Sequence, residues 1–220
     1  MSDTHDTGGR VDTGGTVDTG HHTGEVAVAT YDGTTALLVV DLQNDFADPT
    51  GGLYVRGGDQ VVPLVSVEVG AAQNAGATVV YTQDWHPQDT PHFEKDGGIW
   101  PVHCVADTWG AELHPGLLVH GPVMRKGTSG EDGYSGFSVR DPVSGAGSPT
   151  QLQSLLDPEI RRLVVVGLAG DYCVKETALD GVRLGYAVEV PLALTRFVEL
   201  ADGDGDRSMK EMRDAGVTIT

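Results

Sequence analysis

The sequence predicts an α/β fold: a three-layer α/β/α domain in which helices cover both faces of a central, mainly parallel six-stranded sheet. Apolar segments alternate along the chain with segments whose apolar residues recur at helical spacing, which is the pattern of parallel strands connected by helices. The apolar segments, such as residues 36–40 and 163–166, are continuous rather than alternating, as expected for strands covered on both faces.

The first half of the predicted domain contains three strands and one long helix. Residues 36–40 are the first strand, and Asp59 then caps a helix whose apolar residues recur at helical spacing as far as Gly76. Residues 78–81 form the second strand. A long polar segment rich in His and Pro follows, and residues 123–125 form a short third strand.

The second half continues the alternation. Ser148 and Pro149 are predicted to begin a helix, because proline favours the first turn, and three leucines follow on one face. Residues 163–166 are the clearest buried strand, and residues 172–184 are helical. The remaining predicted elements are a strand at 187–190, a helix at about 206–215 and a final strand near 217–219.

Charge and composition exclude several classes of protein. The 220 residues contain 14 Lys and Arg against 32 Asp and Glu, a formal net charge of −18. Nucleic-acid binding and anionic membrane surfaces both need clustered cations, so neither partner is expected. No apolar run reaches the roughly 20 residues of a membrane span, and no secretory leader is visible. With only two cysteines, a disulfide framework is implausible and the cytoplasm is the expected location. The sequence leaves open whether the protein is a monomer or a homo-oligomer.

The chain divides into a tail, residues 1–30, and a domain, residues 31–220. Residues 1–24 contain six Gly and six Thr but no Leu, Ile, Phe, Tyr or Trp. Such a segment buries too little apolar area to offset the entropy of ordering it, so we predict a disordered tail rich in Gly, Thr and Asp. Its histidines, His5, His21 and His22, are expected to be solvated.

Three residues at predicted strand ends have the chemistry of an activated thiol. Cys173 lies where a strand turns into a helix, and the positive end of a helix dipole favours thiolate. Asp41 ends the first strand and could accept a proton, while Lys126 follows the third strand and could stabilise thiolate. The carboxyl ends of parallel strands meet at one edge of the sheet, which predicts a shared pocket. The alternatives are a buried structural cysteine, a loop-capping aspartate and a solvated lysine.

A second group of residues predicts a metal site. Asp84 and His86 are two residues apart, so an extended chain directs both side chains to the same side. His92 and His103 follow before the next strand. Mixed imidazole and carboxylate ligands suit one divalent ion, Zn²⁺, Fe²⁺ or Mn²⁺. The alternative is an ordinary polar loop.

The motifs that contain these residues resemble those of a known family, the nicotinamidase/pyrazinamidases of the isochorismatase-like cysteine hydrolases. The resemblance extends from about Thr35 to Ile219, and the Asp-x-His…His…Trp-Pro-x-His-Cys block is its most specific part. The motifs are Asp-Leu-Gln-Asn-Asp-Phe at 41–46, Asp-Trp-His-Pro at 84–87, Trp-Pro-Val-His-Cys-Val at 100–105, Tyr-Ser-Gly-Phe at 134–137, and residues 167–173.

The resemblance implies a role for individual residues. Asp41, Lys126 and Cys173 match the catalytic triad, and the backbone N–H groups of Ala169 and Cys173 match the oxyanion hole. A cis peptide bond is implied between Leu168 and Ala169. The other matched positions are the metal ligands Asp84, His86 and His103, a fourth ligand His92 that only some members have, and the aromatic substrate contacts Phe46, Trp100 and Tyr134.

The implied activity is the hydrolysis of nicotinamide to nicotinate and ammonia through a thioester on the cysteine, as in NAD salvage. One divalent metal, zinc before iron or manganese, would hold the pyridine nitrogen, and pyrazinamide is expected as a further substrate. Two alternatives remain: a related amidohydrolase acting on a ureido compound or another small amide, and a catalytically idle metal-binding module.

Overall fold

The structure, a computed structural model, describes residues 29–220. All but the last two residues of the predicted tail lie outside the described residues, as do His5, His21 and His22, so the division at residue 30 stays a prediction. Within the described part of the chain the strands are β1 Thr35–Val40, β2 Thr78–Asp84, β3 Val123–Lys126, β4 Ser138–Arg140, β5 Gly147–Pro149, β6 Arg162–Leu168, β7 Ala187–Val190, β8 Thr195–Arg196 and β9 Thr218–Ile219. The α-helices are α1 Asn44–Ala47, α2 Gly58–Asn74, α3 Leu152–Leu155, α4 Cys173–Arg183 and α5 Asp204–Asp214.

The central sheet has the strand order β3-β2-β1-β6-β7-β9, and every pair in it is parallel. The mainly parallel sheet is therefore confirmed. It contains one strand more than the six predicted, because the two-residue β8 also pairs with β6. A strand of that length is too short to show hydrophobic periodicity.

Two apolar cores confirm the three layers. Leu37 and Val39 of β1 face a core that α2 covers, whereas Leu38 of the same strand faces a core formed with α4 and α5. All six residues of β1 are buried. Burial on both faces explains why the sequence of this strand is a continuous run of apolar residues.

The segment before α3 differs from the prediction. Ser148 and Pro149 do not begin a helix; they lie in β5, which pairs antiparallel with β4 in a two-stranded hairpin. The hydroxyl of Thr150 accepts the N–H of Leu152, the first residue of α3 (3.1 Å). The helix ends after four residues, and Pro158 follows shortly after, which disfavours helical geometry at the residue before it.

Residues next to the predicted boundary contact the domain. The hydroxyl of Tyr31 donates to Glu68 of α2 (2.6 Å), and the Ala29 N–H donates to the same oxygen (2.9 Å). Among the helices of residues 29–220, none combines the length and apolarity that a bilayer span requires.

Candidate active site

The sheet brings Asp41, Lys126 and Cys173 together at the carboxyl ends of its strands. Asp41 follows β1, Lys126 is the last residue of β3, and Cys173 is the first residue of α4. All three are buried. The Lys126 Nζ lies 2.8 Å from Asp41 Oδ2 and 3.6 Å from Cys173 Sγ. A carboxylate, an ammonium and a thiol therefore form one desolvated cluster. This agrees with the prediction that residues at the carboxyl ends of parallel strands meet at one edge of the sheet.

Neighbouring groups hold this cluster in place. The Thr82 hydroxyl donates to Asp41 Oδ1 (2.6 Å), which leaves Oδ2 for Lys126. The Lys126 ammonium also donates to Asp84 and to the carbonyl of Gly133. The ammonium therefore has three hydrogen-bond acceptors, Asp84, the Gly133 carbonyl and Cys173 Sγ, and forms an ion pair with Asp41 Oδ2. Thr82 is a site residue that the sequence analysis missed, because its contact with Asp41 depends on the register between β1 and β2.

The turn between β6 and α4 presents the thiol beside free backbone donors. Gly167 has φ +110°, and a Cβ there would lie 2.1 Å from the Val40 carbonyl oxygen, so β1 and β6 approach too closely for any side chain. The expected cis peptide between Leu168 and Ala169 is present. Within residues 29–220, the N–H groups of Ala169 and Cys173 donate to no other group. They can therefore receive an oxyanion.

Burial governs the protonation of the cluster. It raises the pKa of the Cys173 thiol well above its usual range, although the nearby Lys126 ammonium acts in the opposite direction. Burial likewise raises the pKa of Asp41, against the effect of Lys126. Burial thus acts on the Cys173 pKa in the direction opposite to the helix end, which by itself favours thiolate. A neutral thiol needs a base, and Asp41 is adjacent.

Replacing Lys126 by methionine is expected to raise the pKa of the Cys173 thiol further, because it removes a cation that favours thiolate. The pH profile of iodoacetamide alkylation should move to higher pH, with slower reaction at any pH below the new pKa. Lys175→Met is the matched control, since Lys175 lies on the same helix and pairs with Glu211 (3.2 Å). An unchanged profile in Lys126→Met would contradict the proposed influence of the ammonium on the thiol.

Three histidines form a second cluster beside the first. Single ring nitrogens of His86, His92 and His103 all lie within 4.8 Å of one another, and all three residues are buried. His92 Nδ1 bonds Asp132 (2.8 Å) and His103 Nδ1 bonds the Pro101 carbonyl (2.7 Å). Such outer hydrogen bonds fix the imidazole of a metal ligand and leave its other nitrogen free. Neither nitrogen of His86 has a hydrogen-bond partner in the described chain. Buried, converging and unsatisfied imidazole nitrogens fit a divalent metal.

Asp84 connects the two clusters. Its Oδ1 accepts from Lys126, and its Oδ2 lies 3.8 Å from His86 Nε2. Burial by itself would raise the pKa of Asp84, but Lys126 and the adjacent histidines together hold that pKa well below its usual range. Burial lowers the pKa of His103 to about 4 and also lowers that of His92. An ionised carboxylate and neutral imidazoles are the forms that bind a metal.

A small pocket opens onto both clusters. It contains about 370 Å³ of empty space, its mouth included, and lies at the small end of ligand sites. Phe46, Trp100 and Tyr134 line it as predicted, and Trp100 Nε1 donates to the Tyr134 hydroxyl (2.8 Å). Tyr172 packs edge-on against Trp100, with the ring centres 4.8 Å apart. The lining residues that the sequence analysis missed are Leu53, Val55, Leu168, Tyr172 and Val198.

One further carboxylate holds the loop that contains His103. Asp45 accepts the N–H groups of Cys104 (2.6 Å) and Gly52 (2.8 Å). A Cβ on Gly110 would lie 2.0 Å from Asp45, so only glycine leaves room for that carboxylate. The second Asp of the 41–46 motif therefore anchors the loop that contains His103.

Comparisons with known proteins give the same result as the motifs. Residues 35–220 match the isochorismatase domain. The nicotinamidase of Escherichia coli is 38% identical over 205 residues, which cover 84% of this chain and 93% of the relative.

Two solved structures are also similar. The pyrazinamidase of Pyrococcus horikoshii, in complex with zinc, is 34% identical with a TM-score of 0.74, covering 85% of this chain and 98% of that one. PnC1 from L. infantum, in complex with nicotinate, is 34% identical with a TM-score of 0.79, covering 88% and 96%.

Proposed function

Because this chain belongs to the isochorismatase family, we propose that it is a nicotinamidase, an amidase that hydrolyses nicotinamide to nicotinate and ammonia. The observation that carries the proposal is the joint opening of two clusters into one small aromatic pocket: the Asp41–Lys126–Cys173 cluster and the three-histidine cluster. A thiol site alone would suit many amides. The adjoining histidines specify a substrate with a metal-binding nitrogen beside its amide, as nicotinamide has.

The reaction begins with proton transfer from Cys173 to Asp41 as the sulfur attacks the amide carbon. Lys126 stabilises the developing thiolate from 3.6 Å. The carbonyl oxygen becomes an oxyanion, which the N–H groups of Ala169 and Cys173 receive. Asp41 then returns its proton to the departing nitrogen, and ammonia leaves behind a thioester on Cys173. Water hydrolyses this thioester, with Asp41 again as the proton acceptor.

Substrate position is set by the pocket walls and by the histidine cluster. Phe46, Trp100 and Tyr134 contact the ring, while Asp84, His86, His92 and His103 hold a divalent metal. When bound, the metal supplies a coordination position for the pyridine nitrogen and so fixes the ring relative to the thiol. We assign zinc, since three imidazoles and a carboxylate suit Zn²⁺, and the P. horikoshii relative is a zinc complex.

Substrate breadth and location follow from the same features. Pyrazinamide also carries a ring nitrogen two bonds from the carbon that bears the amide, so it makes the same contacts and is a second substrate.

Both cysteines are free thiols. The cytoplasmic location proposed from composition accords with free thiols.

The test measures ammonia release from nicotinamide before and after removal of the metal with a strong chelator. We expect turnover in the protein as purified, loss of most of it in verified metal-free protein, and recovery on adding Zn²⁺. Full activity on nicotinamide without metal would contradict the role of the metal in holding the pyridine nitrogen, and no turnover of nicotinamide by zinc-loaded protein with a reactive Cys173 thiol would favour a hydrolase of ureido or other amides. No turnover by zinc-loaded protein, with a Cys173 thiol as unreactive as Cys104, would indicate an idle metal-binding module.

A further inference from the structure

Gln43 lies in the motif at residues 41–46 but has no part in the reaction described above. Its side chain is fully buried, yet it does not line the pocket. We propose that Gln43 is a positioning residue. Its side-chain amide makes the hydrogen bonds to the Asp84 backbone that β1 would make if the strand continued, and it thereby sets the orientation of Asp84. The inference rests on the proposed metal site, because Asp84 is one of its ligands.

The main chain of β1 does not extend as far as Asp84. The last paired residues of β1 and β2 are Val39 and Tyr81. Asp41, with φ +47°, then turns the chain away, after its N–H has bonded the Thr82 carbonyl (3.3 Å). On its β1 side, therefore, the backbone of Asp84 has no strand to pair with. A buried, unpaired peptide group would be costly.

The Gln43 amide fills this position. Its Nε2 donates to the Asp84 carbonyl (2.7 Å), and its Oε1 accepts the Asp84 N–H (2.8 Å). A carboxamide carries the same donor and acceptor as a peptide bond, so it can pair with both backbone groups of one strand residue. The second Nε2 proton goes to the Ala111 carbonyl (2.9 Å). Both Nε2 protons and the Oε1 atom of this amide thus bond to backbone groups.

The consequence is that Asp84 is held from both sides. On the β3 side the Trp85 N–H bonds the Lys126 carbonyl (2.9 Å), and on the other side Gln43 holds Asp84 itself. One oxygen of the Asp84 carboxylate accepts a hydrogen bond from Lys126, and the other oxygen faces His86. A rotation of its backbone would move both oxygens, so loss of the Gln43 amide should disturb the metal site without any direct contact with it.

A neighbouring glutamine provides a matched control. Gln83 is also buried, and its Nε2 donates to the same Ala111 carbonyl (3.1 Å), but it makes no side-chain hydrogen bond to Asp84. Gln43→Met and Gln83→Met therefore both remove a buried amide that bonds Ala111. Only the first releases Asp84.

The experiment measures zinc affinity by competition with a chromogenic chelator, the visible spectrum of the Co²⁺-substituted protein, and the melting temperature. We expect both variants to melt at a lower temperature than the wild type. Only Gln43→Met should bind zinc about 10- to 100-fold more weakly, the loss typical for outer-shell partners of metal ligands, and only its Co²⁺ spectrum should change. Gln43→Asn retains the amide but withdraws it from Asp84, so it should weaken zinc binding in the same direction.

Equal zinc affinity in Gln43→Met and Gln83→Met, with wild-type Co²⁺ spectra, would overturn the proposal. If Gln43→Met does not fold, Gln43→Asn decides: zinc binding as tight as in the wild type would overturn it. Failure of the proposed function is distinguishable, because in that case the wild type itself would bind no zinc or release no ammonia from nicotinamide.

Discussion

Replacing Cys173 by alanine is expected to abolish nicotinamide hydrolysis while leaving substrate binding largely intact. In the proposed mechanism the thiol forms the covalent bond, whereas the aromatic walls and the proposed metal site make most of the ground-state contacts. Loss of the nucleophile in other hydrolases lowers kcat by a factor on the order of 10⁶. Ammonia release measures the first effect, and calorimetric titration with nicotinamide measures the second. Substantial residual turnover by the variant would exclude the thioester route.

Cys104 supplies the control for this experiment. It is buried among apolar residues of the α2 face, and within residues 29–220 its Sγ hydrogen-bonds only the Gly110 carbonyl (3.9 Å). Burial raises its pKa well above the usual range. Cys104→Ser should therefore be mild in its effect on turnover. Complete inactivation by that substitution would mean that Cys173 is not the nucleophile.

Replacing His103 by alanine is expected to remove most of the metal and most of the turnover, while Cys173 still reacts with iodoacetamide at a near-normal rate. The variant loses one imidazole of the three-histidine cluster, and the pyridine nitrogen then loses its anchor. A displacement of bound substrate by even about 1 Å can lower the rate roughly a hundredfold. Asp41, Lys126 and Cys173 lie at the ends of β1, β3 and β6, whereas His103 lies in the loop between β2 and β3.

Metal analysis and alkylation kinetics on one preparation of His103→Ala separate the roles of the two clusters. His114→Ala is a suitable control, because His114 is partly exposed and lies outside the cluster. A stoichiometric metal with ordinary turnover would make His103 a structural histidine. A thiol that no longer reacts would show that the metal supports the assembly of Asp41, Lys126 and Cys173.

The sequence predicts the reactive residues of the site better than the residues that position them through hydrogen bonds. Asp41, Lys126 and Cys173 could be placed in one pocket because strand ends meet at one edge of a parallel sheet, and the structure brings them together. Thr82 and Gln43 were missed, because their partners are set by the register between β1 and β2. Hydrophobic periodicity does not reveal that register.

Two further differences have local causes. Ser148 and Pro149 favour a helix start by composition, but the hairpin with β4 determines their conformation instead. The state of the Cys173 thiol could not be deduced from its place at a helix start alone. Its burial beside two carboxylates became evident only in three dimensions, and this burial raises the thiol pKa, opposite to the effect of the helix end.

The close approach of β1 and β6 at Gly167 has a consequence for how the enzyme is made. Residues 41, 84, 126 and 173 come from four distant parts of the chain, so no fragment contains the catalytic cluster. Parallel pairing of distant strands is slow, because loop closure must precede the stabilising contacts. Until β6 has docked against β1, both thiols are exposed to oxidants, whereas in the finished domain Cys104 is fully buried and Cys173 is reached only through the pocket. We therefore expect that a reducing environment matters more to the newly made chain than to the mature enzyme, which can be checked by comparing the recovery of active protein after refolding with and without a thiol reductant.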